Sequence, residues 1–166
     1  MTEEIERLLD ETGWQLLEAL HQHARLSYSE LGQRVGLTAP AASERVRKLE
    51  EAGVITGYHA QINQVLVGMP VLAIIRMGLN VSQSSARATA GIREQPEVVE
   101  CFRVMGSDTF IVEVVASSVS HLEQVIDRLL VYGPLTTSMV LSTPIARRAV
   151  TREILALRDK RQDTAP

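Results

Sequence analysis

The residues best suited to chemistry fall between positions 28 and 48 of a 166-residue chain. Tyr28 and Ser29 open the stretch. Thr38, Ala39, Pro40, Ala41, Ser43, Glu44, Arg47 and Lys48 close it. These types support recognition rather than bond-making. Ser and Thr hydroxyls beside a helix start suit the oxygens of a phosphate. A carboxylate such as Glu44 accepts from cytosine N4, and a guanidinium such as Arg47 donates to guanine or to phosphate. Small residues at 39, 41 and 43 let a backbone approach base edges. The bland alternative is an ordinary three-helix domain whose charges form a solvated face.

Catalytic chemistry has no comparable support. His21 and His23 have an odd spacing for one helix face, and His59 and His121 are isolated. A zinc site needs three or four clustered ligands. A nucleophilic serine needs a base in reach, and no nucleophile elbow is present. The expectation is a non-enzyme without cofactor or metal.

Ile5, Leu8, Leu9, Trp14, Leu17 and Leu20 recur at helical spacing and predict a helix over 5–23, broken near Gly13. Ser29 reads as the N-cap of a short helix that ends at Gly36. Thr38 reads as the cap of a third, running to about Glu51 and stopped by Gly53. Gly36-Leu37-Thr38 is then the tight turn of a helix-turn-helix: Gly36 takes a positive φ and Leu37 plugs the core. Ala42, Val46 and Leu49 share the inward stripe, which leaves Pro40, Ala41, Ser43, Glu44 and Arg47 outward.

Composition allows this. Hydrophobic residues make up 45% and charged residues 22% of the chain, enough for a folded core. Net charge is −3, so binding to an acidic partner must rest on local positive charge. Two places supply it. One is Arg25 to Lys48; the other holds Arg147, Arg148, Arg152, Arg158, Lys160 and Arg161. The lone Cys101 excludes an internal disulfide and reads as a buried structural thiol. The start of the chain is acidic, unlike a signal peptide. No apolar run nears the roughly 20 residues of a spanning helix. A cytoplasmic protein with no membrane partner is expected.

After Gly53 the period changes. Residues 54–62 read as a turn or small wing leading into an extended strand, and 58–70 as a linker strand between domains. From Val71 the order is a strand to Leu79, a helix over Ser84–Glu94, strands over Val98–Met105 and Phe110–Ala116 joined by a turn at 106–109, a helix over Ser120–Val131, and a strand over Thr136–Ser142. This βαββαβ order is the ferredoxin-like arrangement. Helices cover one sheet face, and the open face predicts a dimer. The expected fold class is α+β. A winged-helix-like domain occupies 1–57, the linker 58–70, a βαββαβ domain 71–145, and a basic tail 146–166 with a short helix around Ile154-Leu155-Leu157.

The run from Ser29 to Tyr58, with Leu31-Gly32, Val35-Gly36-Leu37-Thr38, Arg45-Val46, Leu49-Glu50, Gly53-Val54-Ile55 and Gly57-Tyr58, resembles the DNA-binding domain of the feast/famine (Lrp/AsnC) regulators. Asp10 and Leu16-Leu17 fit that family's first helix. Val104-x-Gly106, Tyr132-Gly133 and Thr137-Ser138 fit its C-terminal domain. The resemblance implies a DNA-binding transcription regulator that forms dimers and higher even-numbered oligomers. It also implies an amino-acid-like effector bound between dimers, with the turn at Gly106, Ser107, Asp108 and Thr109 contributing. Where many members carry an acid three positions after this glycine, the chain has Thr109, and the acid sits at Asp108. That carboxylate suits an α-amino group, with hydroxyls from Thr137 and Ser138; alternatively Asp108 only closes an Asx-turn. Arg45 matches a family arginine and is expected in a structural ion pair. The competing function is a nucleoid-type architectural DNA binder without a ligand. A stand-alone amino-acid-binding module would have no use for residues 1–57.

Overall fold

The computed structural model describes residues 2–146 and 148–156. The chain forms two compact units, one reaching Ala60 and taking in the segment from Ile145, the other spanning Gln61–Pro144.

Four helices build the first unit: α1 (Glu3–Leu8), α2 (Glu11–Gln22), α3 (Tyr28–Val35) and α4 (Ala39–Glu51). Leu16, Leu31 and Val46 are buried together, with Leu20, Leu26, Val35, Leu37 and Ile55 packed around them. The expected break at Gly13 falls instead at Leu9–Asp10. Asp10 is the N-cap of α2, and its carboxylate accepts the Gly13 N–H at 2.8 Å. A side chain at Gly13 would strike the Leu8 carbonyl, so the glycine lets α1 fold close against the start of α2.

The cap of α3 is also corrected. Ser27, not Ser29, holds that position. Its hydroxyl accepts the Glu30 N–H at 3.2 Å, and Glu30 accepts the Ser27 N–H at 2.8 Å. Ser-x-x-Glu is the capping-box spacing, which makes 27 a better cap than 29 because two orphan donors are satisfied reciprocally. Ser29 lies in the first turn. Gly36 ends α3 at φ 71, a left-handed value that side chains resist. Thr38 caps α4, its hydroxyl accepting from the Ala41 N–H at 3.4 Å.

Neither wing nor linker strand forms. Among the described residues, 54–63 make no strand pairing, and 64–68 are turn. A lone extended segment has no partner for its N–H and C=O groups, so it stays irregular.

The second unit is an antiparallel sheet in the order β2-β3-β1-β4, formed by β1 (Val71–Met77), β2 (Val98–Arg103), β3 (Phe110–Ala116) and β4 (Leu135–Met139). Two helices, α5 (Ser85–Arg93) and α6 (Val119–Leu130), cover one face. Alternate residues of the central strands, Ala73, Ile75 and Met77 with Phe110, Val112, Val114 and Ala116, meet Ala88 and Ile92 of α5 and Leu122, Val125 and Leu129 of α6. Fully burying the Val, Leu, Ile, Met and Phe side chains among these stabilises the fold by about 1.5–3 kcal/mol each relative to exposure. Of the intervening residues on the face without helices, Leu72, Ile74, Ile111 and Val115 are apolar and half-buried, and Arg76 and Glu113 lie among them. Cys101, expected to be buried, is exposed on the edge strand β2; its thiol is nonetheless pushed up by partial burial.

A polar tie joins α6 to the start of β2. Glu97 accepts from His121 Nε2 at 2.9 Å and from Arg128 Nη2 at 2.6 Å, while Arg128 Nε donates to Gln95 at 2.6 Å. Burial works to raise the Glu97 carboxyl, but the hydrogen bonds from His121 and Arg128 win and hold it below its usual range. The Ser117 N–H donates to His121 Nδ1 at 3.2 Å, which fixes the tautomer that presents Nε2–H to Glu97. In the tail, one helical turn covers 152–156; Leu157 of the expected helix lies outside the described residues, as do Arg147, Arg158, Lys160 and Arg161.

Candidate nucleic-acid interface and effector region

Helix α4 is fixed from below by Ala42, Val46 and Leu49, all buried. Their spacing leaves Pro40, Ala41, Glu44, Arg47, Lys48 and Glu51 exposed on the opposite side. The tight turn sets the angle between α3 and α4. Gly32 is buried where α3 meets the turn, and the Leu37 N–H donates to its carbonyl at 2.8 Å. A Cβ at Gly32 would sit 2.5 Å from the Leu37 carbonyl oxygen, so this approach admits glycine alone. A second lock is the ion pair of Arg45 with Asp10, which fixes α4 to the start of α2. The Gly13 N–H, then Arg45, hold the Asp10 carboxyl below its ordinary value against the effect of burial. The expected structural pair of Arg45 is thus identified, with Asp10 as its partner.

The outer face of α4 carries a charge network that the sequence reading missed in part. Arg47 donates to both carboxylate oxygens of Glu44, at 2.9 and 2.7 Å, and also to Glu51. Lys48 lies 3.6 Å from Glu44. The hydrogen bond from Arg47 lowers the Glu44 carboxyl, and Glu44 in turn raises Arg47 further above its usual range. Glu51 was the missed member, although it sits four residues after Arg47, the spacing at which helix side chains meet. Exposed ion pairs of this kind contribute little. A phosphate or a base edge can therefore displace Glu44 and Glu51 from Arg47 at small cost.

Tyr28, Ser29, Thr38 and Ala39 lie at the N-terminal ends of α3 and α4, and Ser43 is half-buried one turn into α4. All but Ala39 and Ser43 are exposed. Thr38 uses its hydroxyl oxygen as a cap acceptor, which leaves the O–H free to donate. Tyr58 donates to Glu50 at 2.8 Å, anchoring the segment after α4. Partial burial and then the Glu50 carboxylate push its phenol up to about 12.

The second candidate set is less convergent. The turn between β2 and β3 is closed by Val104 N–H to Thr109 carbonyl at 2.9 Å and is tied to β1 by Thr109 N–H to Met77 carbonyl at 2.9 Å. Gly106 has φ 143, which explains the glycine. Ser107 is exposed and Asp108 half-buried. Among the described residues nothing hydrogen-bonds the Asp108 carboxylate, so the Asx-turn expectation is not met. Thr137 pairs with Ile75 and Ser138 with Ile74. Successive strand residues point to opposite faces, so Thr137 faces the helices, where its hydroxyl is buried without a partner, and Ser138 faces the open side. From the turn to these hydroxyls the path crosses two strand spacings, about 10 Å. Within one chain these six residues do not enclose a common cavity.

Comparison with known proteins agrees with this division. Residues 9–56 match the family model for winged helix-turn-helix DNA-binding domains, and residues 72–150 match that for the Lrp/AsnC ligand binding domain. An uncharacterized HTH-type transcriptional regulator of Bacillus subtilis, YezC, is 41% identical over 135 residues, covering 81% of this chain and 95% of the relative. A crystal structure of a Neisseria meningitidis transcriptional regulator in complex with L-Met superimposes with a TM-score of 0.82 at 26% identity, over 89% of this chain and 99% of that one. A feast or famine regulatory protein from M. tuberculosis complexed with L-methionine gives a TM-score of 0.79 at 31% identity, over 86% and 98% of the two chains.

Proposed function

This chain belongs to the Lrp/AsnC family of HTH-type transcriptional regulators, and from that premise we propose how it works. It is a DNA-binding regulator of transcription. In our reading α4 enters the major groove of double-stranded DNA, with Pro40, Ala41, Ser43, Glu44, Arg47 and Lys48 toward base edges and adjoining phosphates. Tyr28, Ser29, Thr38 and Ala39 meet the backbone at the two helix starts. The observation that carries this reading is the exposed outer side of α4, held by a buried inner stripe and a glycine-only approach to α3.

The open sheet face pairs with a second copy, because Leu72, Ile74, Ile111 and Val115 lie there on the side away from α5 and α6 of their own unit. Two copies present two α4 helices, which read half-sites about 34 Å apart on one side of a duplex. A small amino-acid-like effector, such as the methionine held by the two neighbouring structures, binds where dimers meet. Gly106, Ser107, Asp108 and Thr109 then come from one dimer, and Ser138 completes the site across an interface; Thr137, expected there as well, is turned toward the helices of its own sheet unit and takes no part. The separation of these groups within one chain is the reason to place the site between chains. The effector shifts the assembly by no more than its differential affinity, about 1–3 kcal/mol of coupling. The protein acts in the compartment that holds the DNA, without a membrane partner: among the described residues no helix is long and apolar enough to cross a membrane.

Light scattering after size exclusion, with and without each amino acid, tests this together with duplex titrations. A dimer or larger even assembly whose mass or DNA affinity changes with one amino acid supports the reading. DNA binding and oligomer size indifferent to all of them would leave the architectural, ligand-free reading. A monomer would overturn the assembly.

A further inference from the structure

The helix-turn-helix unit is formally acidic. Up to Ala60 the chain has six Arg and Lys against ten Asp and Glu, a net −4. Four of those six cations are already paired: Arg7 with Glu3, Arg45 with Asp10, Arg47 with Glu44 and Glu51, and Lys48 with Glu44. Only Arg25 and Arg34 have no ion pair among the described residues. Affinity for a duplex comes largely from cations that displace counterions from phosphates. A unit of this charge is poorly equipped for that alone.

Part of the deficit is offset from the far end of the sequence. From Ile145 onward the chain has six Arg and Lys against three Asp and Glu, a net +3. The described residues of this segment, 145–146 and 148–156, group with the helix-turn-helix unit and not with the sheet unit. Its anchor is a hydrogen bond from the Ala149 N–H to His21 Nε2 at 3.3 Å, across 128 positions of sequence. His21 is in the last turn of α2, six residues before the Ser27 cap of α3. Six residues span at most about 20 Å. The anchor therefore holds the neighbouring Arg148 near the end of the unit that carries Arg25 and the start of α3. Arg148 and Arg152 are exposed and have no carboxylate partner among the described residues.

We propose that residues 148–156 form a cationic strap, docked on α2 through His21, whose Arg148 and Arg152 contact the phosphate backbone of the same duplex outside the groove read by α4. The proposal rests on the DNA-binding reading above and adds a contact surface to it. It also gives a use for Arg152, which lies past the match to the family ligand-binding domain at 72–150.

The experiment is a fluorescence-anisotropy titration of full-length protein on one duplex across a salt series, for the wild type, R148A/R152A and R148K/R152K. Each lost phosphate contact reduces the slope of log K against log salt by about 0.9. The double alanine variant is expected to lose about 1.8 from the slope, with its oligomer mass and circular dichroism unchanged. The double lysine variant keeps the wild-type slope, because a phosphate needs only a positive charge there. A wild-type slope in R148A/R152A overturns the strap and leaves α4 in place. Loss of slope in the lysine variant as well also overturns it, since a structural use of the guanidinium would then be at work. No duplex binding by the wild type even at low salt removes both readings.

Discussion

Replacing Gly32 with alanine sets two effects against each other whose sizes can be compared. Alanine is the better helix former by about 1 kcal/mol, and Gly32 lies inside α3. On propensity alone the variant would be more stable. The new Cβ, however, would sit 2.5 Å from the Leu37 carbonyl oxygen and 3.2 Å from that of Thr38. Both are backbone atoms of the turn and cannot rotate away as a side chain would. Relief needs a shift approaching 1 Å, which stretches the 2.8 Å bond from Leu37 N–H to the Gly32 carbonyl. Overpacking of this kind costs about 1–3 kcal/mol, and the weakened hydrogen bond about 0.5–1.5 kcal/mol. Clash outweighs propensity, for a net loss of roughly 0.5–3.5 kcal/mol. In a unit of this size that lowers Tm by roughly 2–28 °C. Thermal unfolding followed by circular dichroism measures it, and duplex affinity should fall too because the α3–α4 angle changes. A Tm equal to or above wild type would refute the close approach and, with it, the account of how α4 is aimed.

Other expectations follow from the same structure. Asp10 is held below its ordinary value of 3.8 in the folded chain, so its contribution is present above that pH and is lost as pH falls through the folded value. D10N, which still caps α2, should therefore lose stability near neutral pH, with the gap to wild type beginning to close only as pH falls under the ordinary value of 3.8 and gone below the lower folded value; a constant gap across pH would count against the Arg45 pair. At Gly91 a Cβ would overlap the Tyr132 ring, so G91A should destabilise the sheet unit, and adding Y132L should restore part of the loss in urea unfolding. Leu129 is fully buried under the sheet, and L129A should cost about 2–5 kcal/mol by chemical denaturation.

Much of this was legible in the chain. The inward stripe of α4, the Thr38 cap, Gly36 in the turn and the βαββαβ order all follow from spacing, since burial on one helix face or sheet face imposes a period. The α3 cap was misread at Ser29 because several serines compete there; the Glu30 that decides for Ser27 acts only through reciprocal hydrogen bonds. The break near Asp10 was misplaced because a glycine suggests a break, whereas here it permits close packing. The linker strand was read from β-type residues that find no pairing partner in their own chain. Least legible was the network around Arg47. A sequence shows that a cation is present but not whether neighbouring carboxylates already hold it.

The salt dependence of duplex binding by R47A, with R128A in the other unit as control, tests the reading of α4 most directly. The account expects the R47A slope of log K against log salt to fall by about 0.9, affinity to drop at every salt concentration, and R128A to match wild type. An R47A titration that overlays the wild-type curve would contradict it.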